Sequence, residues 1–192
     1  MTTWALIPVK PRGEGKSRLA PALSPQRRGD LVEAMLARVI AACGQAADRT
    51  ILLGPPRAAL PFVPDPGEGL NAALAHALGI LGRGPSPERL IVVAGDLPCL
   101  HADEVRRLAA LPADAVGIAT DRHGTGTNAL SLPLPRAAAF RFHYGTGSAA
   151  LHHAAAQALG LNAVTITAPG LAKDIDEPAD LADAELLFDL AN

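Results

Sequence analysis

Arg89-Leu-Ile-Val-Val-Ala-Gly-Asp-Leu-Pro-Cys-Leu100 decides how the rest of the chain is read. Its apolar run from Leu90 to Ala94 is bounded by turn chemistry, which describes a strand buried on both faces. Asp96 stands apart from that pattern. A carboxylate just past a buried strand, between Gly95 and the Leu97-Pro98 that stops the strand, occupies the position where open α/β sheets bind their ligands. The competing reading is a helix N-cap or turn aspartate, which spends the same carboxylate on main-chain N–H groups.

Upstream of this strand, Gly69–Leu81 carries Leu70, Leu74, Leu78 and Leu81 on one face, which predicts a helix packed on the sheet, and Gly82–Pro87 is a loop. Trp4–Val9 and Thr50–Leu53 read as strands, the second ended by Gly54-Pro55-Pro56, with Phe62-Val63 between prolines as a third. Ser24-Pro25 is an N-cap with proline at the first helical position. It opens a helix to about Cys43 whose apolar stripe is Leu31, Met35 and Val39.

Downstream, the pattern predicts a helix over Ala102–Leu111 and a strand over Ala115–Thr120. Asn128–Leu132 and Phe140–Tyr144 read as short strands with no helix between them, an antiparallel excursion. A helix over Ser148–Leu159, a strand over Ala163–Ile166 and a closing helix over Pro178–Asp189 follow. Strands alternating with helices of this length predict a three-layer α/β/α architecture with a mixed, mainly parallel sheet, in one domain spanning residues 1–192.

Bulk properties narrow the function classes. The chain of 192 residues is long enough for a full core. A formal net charge of −2 argues against nucleic acid as the main partner. Although 49% of residues are hydrophobic, no run approaches the ~18–20 apolar residues of a membrane span. The chain passes from Met-Thr-Thr straight into a strand, without the charged and apolar regions of a signal peptide, so a soluble, cytoplasmic protein is expected. Cys43 and Cys99 have neither metal spacing nor a framework count, and reduced thiols are the expectation.

The loop after the first strand carries Lys10, Arg12, Lys16 and Arg18 around Gly13 and Gly15. Gly15-Lys16-Ser17 resembles the end of a P-loop, but Lys10 stands where the first glycine belongs, and Pro21 and Ser24-Pro25 put the helix start well downstream. What survives is a flexible basic loop able to wrap a polyphosphate with main-chain N–H groups and cations, Lys16 and Arg18 foremost. Arg12 reads as a solvated charge.

A second acidic cluster, Lys173-Asp-Ile-Asp-Glu-Pro178, completes the polar inventory. In an extended segment, alternate side chains share a face, so Asp174 and Asp176 point together while Ile175 enters the core. Asp176 also reads as the cap of the helix opening at Pro178, with Asp180 a surface charge. Together with Asp96, the pair supplies carboxylates suited to Mg²⁺, a hard cation that favours oxygen ligands and substrate phosphates.

Ile7-Pro-Val-Lys10 with Lys16-Ser-Arg-Leu19, Gly69-Leu-Asn71, Gly95-Asp-Leu-Pro98, Asp121-Arg-His-Gly-Thr-Gly-Thr-Asn128, Gly145-Thr-Gly-Ser148 and Asp174-Ile-Asp-Glu-Pro178 together resemble the CofC/FbiD family of guanylyltransferases. The resemblance spans essentially the whole chain. It implies a nucleotidyltransferase fold, nucleotide-diphospho-sugar transferase-like and Rossmann-like. It also implies transfer of GMP from GTP to a small phosphorylated acid, with release of pyrophosphate, in the synthesis of coenzyme F420. By the same resemblance, Asp96, Asp174 and Asp176 are metal-binding, and Thr127, Gly145 and Ser148 contact the phosphorylated acid. His143-Tyr144 departs from the family, where Phe is expected before the first glycine of the Gly-x-Gly-Ser element.

The chemistry of the residues agrees with that assignment. An acceptor phosphate is already ionised at neutral pH, so no general base is required, and none stands out. Bringing two anions together and stabilising the leaving pyrophosphate is the work of metal ions and placed cations. Lys16 and Arg18 are the candidates for the β- and γ-phosphates, with Lys10 beside them and Asp96 as the catalytic metal ligand. Gly145–Ser148 at a helix start offers an anion site for the acceptor, or else a plain glycine turn with a serine cap. Arg122 and His123 lie on the other loop expected to line the acceptor pocket, and Asn71 is a candidate guanine or ribose contact, or a first-turn polar residue. Adjacent His152 and His153 face different directions on a helix and are not expected to share a metal.

Phosphoenolpyruvate, 2-phospho-L-lactate and 3-phospho-D-glycerate all carry the phosphate and carboxylate that such a pocket would recognise. The polar groups of His143 and Tyr144 favour an acceptor with a free hydroxyl, with phosphoenolpyruvate close behind. A sugar phosphate or molybdenum cofactor as acceptor, and a GTP-binding module without catalysis, stand as alternatives. A homodimer is compatible with all of them.

Overall fold

Successive side chains of a strand point to opposite faces, and the first strand divides its apolar residues accordingly. In β1 (Thr3–Pro8), Ala5 and Ile7 enter one apolar cluster and Leu6 another. The division repeats in β2 (Arg49–Leu53), where Leu52 opposes Ile51 and Leu53. After the short β3 (Phe62–Val63) it recurs in β4 (Arg89–Val93), where Ile91 and Val93 oppose Leu90 and Val92. Both faces of the sheet therefore need a cover of helices. This computed structural model describes residues 1–57, 59–83 and 85–181.

The covers come from helices with one apolar side. Helix α1 (Pro25–Gly44) starts with Pro25 at its first position and Ser24 Oγ accepting from the Arg27 N–H. It joins α3 (Ala102–Ala109) on one face through Leu36, Val39, Val105 and Leu108. Helix α2 (Leu70–Leu81) covers the other face through Leu74, Ala77 and Leu78, as does α4 (Ser148–Ala158) through Ala156. The expected three layers are present.

Adding β5 (Ala115–Thr120), β6 (Thr127–Pro133) and β7 (Asn162–Ile166) gives seven strands in the order β3-β2-β1-β4-β6-β5-β7. All pairings are parallel except those of β6, which runs against β4 and β5. The antiparallel strand expected from Asn128–Leu132 is thus an internal member of the sheet. No helix among the described residues is long and apolar enough to cross a membrane.

Phe140–Tyr144, by contrast, is not a strand. Its Phe140 and Phe142 are buried and Arg141 between them is exposed, which is the alternation that suggested one. Side chains satisfy its main chain instead: the His143 N–H donates to His152 Nε2 and the Tyr144 N–H to Asn71 Oδ1. At the other end, Pro178–Asp180 forms a 3-10 turn, and the rest of the predicted closing helix lies outside the described residues.

Strand order places the site. From β1 the chain builds outward through β2 and β3, then returns to lay β4 on the other side of β1, which opens a crevice at the carboxyl ends of β1 and β4. Gly95 suits this crossing, because a Cβ there would lie 3.3 Å from the Pro8 carbonyl oxygen. Since β6 is antiparallel, its first residues, Thr127 and Asn128, come to the same edge.

Candidate active site

A cavity of about 1080 Å³ lies at this edge, lined among others by Lys10, Lys16, Asp96, Thr127, Asp174 and Asp176. Three segments distant in sequence build it. Leu19, fully buried, packs with Leu31 and Met35 of α1 and with Ile175, so the loop after β1 and the acidic segment share one small core. That shared core brings their polar residues face to face.

Lys16 has left-handed backbone angles, φ 50°, at the start of a 3-10 turn over Ser17–Leu19. Its ammonium donates to Asp96 Oδ2 at 2.5 Å and to Asp176 Oδ1 at 2.6 Å. Burial works against the charge, but the two carboxylates outweigh it and hold the Lys16 pKa above the usual lysine value. Asp96 is therefore not the cap of α3, which is His101, with Glu104 reaching back to the His101 N–H. Nor does Asp176 cap the turn at Pro178, where Glu177 holds that position.

Asp174 lines the same cavity, and burial together with the nearby Asp96 charge pushes its carboxyl above the usual value. Among the described residues, no three His, Cys, Asp or Glu side chains converge closely enough to hold a metal ion. Asp96 and Asp176 share the Lys16 ammonium, and Asp174 lines the same cavity.

Asp180 was expected at the surface and is buried. One oxygen accepts from the N–H groups of Asp176 and Glu177, and the other from Arg122 at 2.6 Å. Burial opposes its charge, yet Arg122 and the two N–H groups hold its pKa down at about 2. The signal was legible as an acidic residue three positions after Glu177, the spacing of a capping box. Arg122, expected in the acceptor pocket, is committed to this pair and is not among the cavity-lining residues. The neighbouring His123 accepts from Arg122 Nε.

Thr127 reaches the cavity because Asp121–Gly126 is a hairpin loop between β5 and β6. Asp121 shapes that loop by accepting from the Thr125 N–H, and a Cβ on Gly126 would lie 2.6 Å from Asp121 Oδ2, which accounts for glycine there. Thr127 Oγ1 meets His152 Nδ1 at 3.0 Å and accepts from Ser148 Oγ at 3.2 Å. His152 is fully buried and was not foreseen as part of a site. The start of α4 is less open than expected: the Ser148 N–H donates to the Gly145 carbonyl and the Ala149 N–H to the Thr125 carbonyl. The expected anion-binding N–H groups of residues 148 and 149 are thus taken by the main chain.

Of the remaining candidates, Lys10 lines the cavity and its carbonyl accepts from Arg57, while Arg18 is exposed and outside the lining. Arg12 pairs with Glu33. Asn71 also lies outside the lining, since its amide exchanges hydrogen bonds with both main-chain groups of Tyr144. It ties α2 to the extended segment. Cys43 is buried, which pushes its thiol up to about 12, so it is an unreactive core residue.

Residues 3–189 match the family described as guanylyl transferase CofC like. A phosphoenolpyruvate guanylyltransferase of Sphaerobacter thermophilus is 40% identical, with 95% of this chain and 92% of that protein aligned. A nucleotidyl transferase of Methanothermobacter has a similar structure, with a TM-score of 0.66 at 17% identity over 100% of this chain and 99% of that one. A 4-diphosphocytidyl-2C-methyl-D-erythritol synthase gives a TM-score of 0.65 at 14% identity, covering 97% and 98% of the two chains. At such identities the two structures speak for the fold alone.

Proposed function

The chain belongs to the CofC-like guanylyl transferase family, and on that footing we propose that it joins GMP from GTP to phosphoenolpyruvate, releasing pyrophosphate, as a step in coenzyme F420 biosynthesis. The observation that carries this reading is the Lys16 ammonium lodged between Asp96 and Asp176 at the carboxyl ends of the central strands. A buried cation in an acid-lined cavity supports a site for a polyphosphate brought in with its own counter-charge.

In the reaction, an oxygen of the acceptor's phosphate attacks the α-phosphorus of GTP. The bond from that phosphorus to the bridging oxygen of the β-phosphate breaks, and pyrophosphate leaves with the electron pair. The nucleophile needs no deprotonation, so positioning and charge stabilisation are the catalytic tasks. Lys16 takes the triphosphate from within the cavity, Lys10 adds positive charge on its wall, and exposed Arg18 adds charge outside the lining. Asp96 and Asp176 would hold Mg²⁺ through carboxylate oxygens, since that ion needs only one or two carboxylates besides substrate phosphates. When bound, Mg²⁺ would offset charge on the phosphoryl oxygens and the leaving group. Thr127 meets the acceptor from the cavity wall, and buried Ser148 supports it by donating to Thr127 Oγ1, next to the segment carrying Gly145. Arg122 and Asn71 act from outside, the first by holding Asp180 and the second by holding Tyr144.

The earlier preference for a hydroxyl-bearing acceptor loses its footing. The Tyr144 hydroxyl is buried in apolar packing without a hydrogen-bond partner among the described residues, and His143 is not among the residues lining the cavity. Neither adds a polar contact for a substrate hydroxyl. The name of the Sphaerobacter relative supports phosphoenolpyruvate.

Purified protein with Mg²⁺, each nucleoside triphosphate and equimolar phosphoenolpyruvate, 2-phospho-L-lactate and 3-phospho-D-glycerate tests the proposal. The expected result is pyrophosphate release with GTP and a product of the mass of guanylylated phosphoenolpyruvate. A product from a hydroxy acid alone would overturn the acceptor; no product from any of the three would overturn the activity.

A further inference from the structure

We propose that His152 is a positioning residue. It orders the Thr127 and Ser148 hydroxyls so that one O–H donor of that pair remains for an anionic oxygen of the acceptor substrate. The proposal rests on the functional reading above and adds to it a residue that contacts neither substrate nor metal.

Hydrogen-bond polarity fixes the argument. A main-chain N–H can only donate, and that of His143 points at His152 Nε2 from 2.9 Å, so Nε2 must present its lone pair. A neutral imidazole carries one proton, which therefore sits on Nδ1 and is donated to Thr127 Oγ1 at 3.0 Å. An imidazolium would set an Nε2–H against the His143 N–H, donor facing donor. The ring is held in place by packing as well: Tyr144 meets it edge-on with centroids 5.0 Å apart, and Phe140 lies at 5.8 Å.

Thr127 Oγ1 thus receives the His152 proton and lies 3.2 Å from Ser148 Oγ. The two hydroxyls have two protons between them. One bridges the pair, and the other has no partner among the described residues. Thr127 lines the cavity that holds Lys16 and Asp96, so a ligand on that side meets a hydroxyl that must give its proton away. Carboxylate and phosphate oxygens satisfy it, whereas an ammonium group, which has no acceptor, does not. Were the imidazole reversed, Thr127 would have to donate to Nδ1 and the pair would lose its surplus donor. The direction of the bond at the substrate is therefore set two hydrogen bonds away, in the main chain of His143.

Two measurements test this. Long-range nitrogen–proton spectra of the ¹⁵N-labelled protein read which ring nitrogen of His152 carries the proton; Nδ1 is expected, and a protonated Nε2 would overturn the proposal. This arm holds whether or not the protein transfers GMP. The kinetic arm compares His152→Leu, which loses the donor, with His152→Asn, whose amide nitrogen stands near the place of Nδ1, and with Thr127→Val, which removes the hydroxyl while keeping the shape. Loss of a hydrogen bond to a charged oxygen raises the acceptor KM about tenfold or more in His152→Leu and Thr127→Val. KM for GTP is expected to stay within about twofold, and His152→Asn to recover most of the acceptor affinity. Equal losses for both substrates, or an unchanged acceptor KM in Thr127→Val, would refute the assignment. Should His152→Leu fail to fold, Thr127→Val and His152→Asn decide it. Wild-type protein inactive on every acceptor would overturn the functional reading and, with it, the substrate half of this proposal.

Discussion

Arg122 donates to Asp180 across 2.6 Å and so joins the hairpin loop after β5 to the turn behind the acidic segment. Asp180 in turn fixes Asp176 through its main-chain N–H. Replacing Asp180 by Ala leaves two N–H groups and a guanidinium without their acceptor, and a loss of about 1–3 kcal/mol is expected in chemical denaturation. KM for GTP should rise with it, because Asp176 is no longer held. Unchanged stability would mean that water replaces the carboxylate at no cost.

Lys16→Ala is expected to lower kcat/KM for GTP about ten- to a hundredfold, the worth of a charge-assisted contact. The same change leaves Asp96 and Asp176 without the cation between them. Added Mg²⁺ should then raise the melting temperature of the variant more than that of the wild type. Equal shifts would show that the ammonium and the metal do not share those carboxylates.

Asp96→Asn should abolish turnover with the melting curve little changed. Shape is kept and a charge is lost. Capping of α3 is untouched, since His101 and Glu104 provide it. Near-normal activity in the product assay would remove Asp96 from the chemistry.

His152 carries a pH signature. Burial first, then the charges of neighbouring His143 and His153, lower its pKa from the usual value near 6.5 to about 4. A group whose folded pKa is depressed binds more protons when unfolded, so its stabilising effect is complete above about pH 6.5 and is lost as pH falls towards about 4. His152→Asn cannot titrate there. The stability difference between wild type and this variant should therefore shift against the wild type over that window, measured by urea denaturation at several pH values. A difference independent of pH would show that the imidazole titrates alike in both states.

The layers of the fold were legible because they depend on local periodicity. Leu74 and Leu78 mark one face of α2, and the unbroken run Leu90–Val93 marks a strand covered on both sides. Phe140–Tyr144 carries an equally good period-two pattern and is no strand. A strand requires a neighbour with free N–H and C=O groups, whereas here Asn71 and His152 supply the partners. Nothing within five residues encodes that choice.

The residue types of the site, acidic after one strand and basic after another, belong to the sequence by itself, as does the alternation that buries Ile175 and turns Asp174 and Asp176 away from the core. Which charge meets which was decided only in three dimensions. Lys16 finds Asp96 and Asp176 because Leu19 and Ile175 share a core with α1, and Asp180 is drawn inside because Arg122 arrives from another loop to offset its charge. His152 is the clearest case. On its helix it is one of two adjacent histidines, and its tautomer, its neutrality and its hold on Thr127 all follow from a main-chain N–H and two aromatic rings that the fold brings to it. Hydrogen-bond direction and desolvation depend on the whole surroundings of a group, and those surroundings exist only once the chain has closed around it.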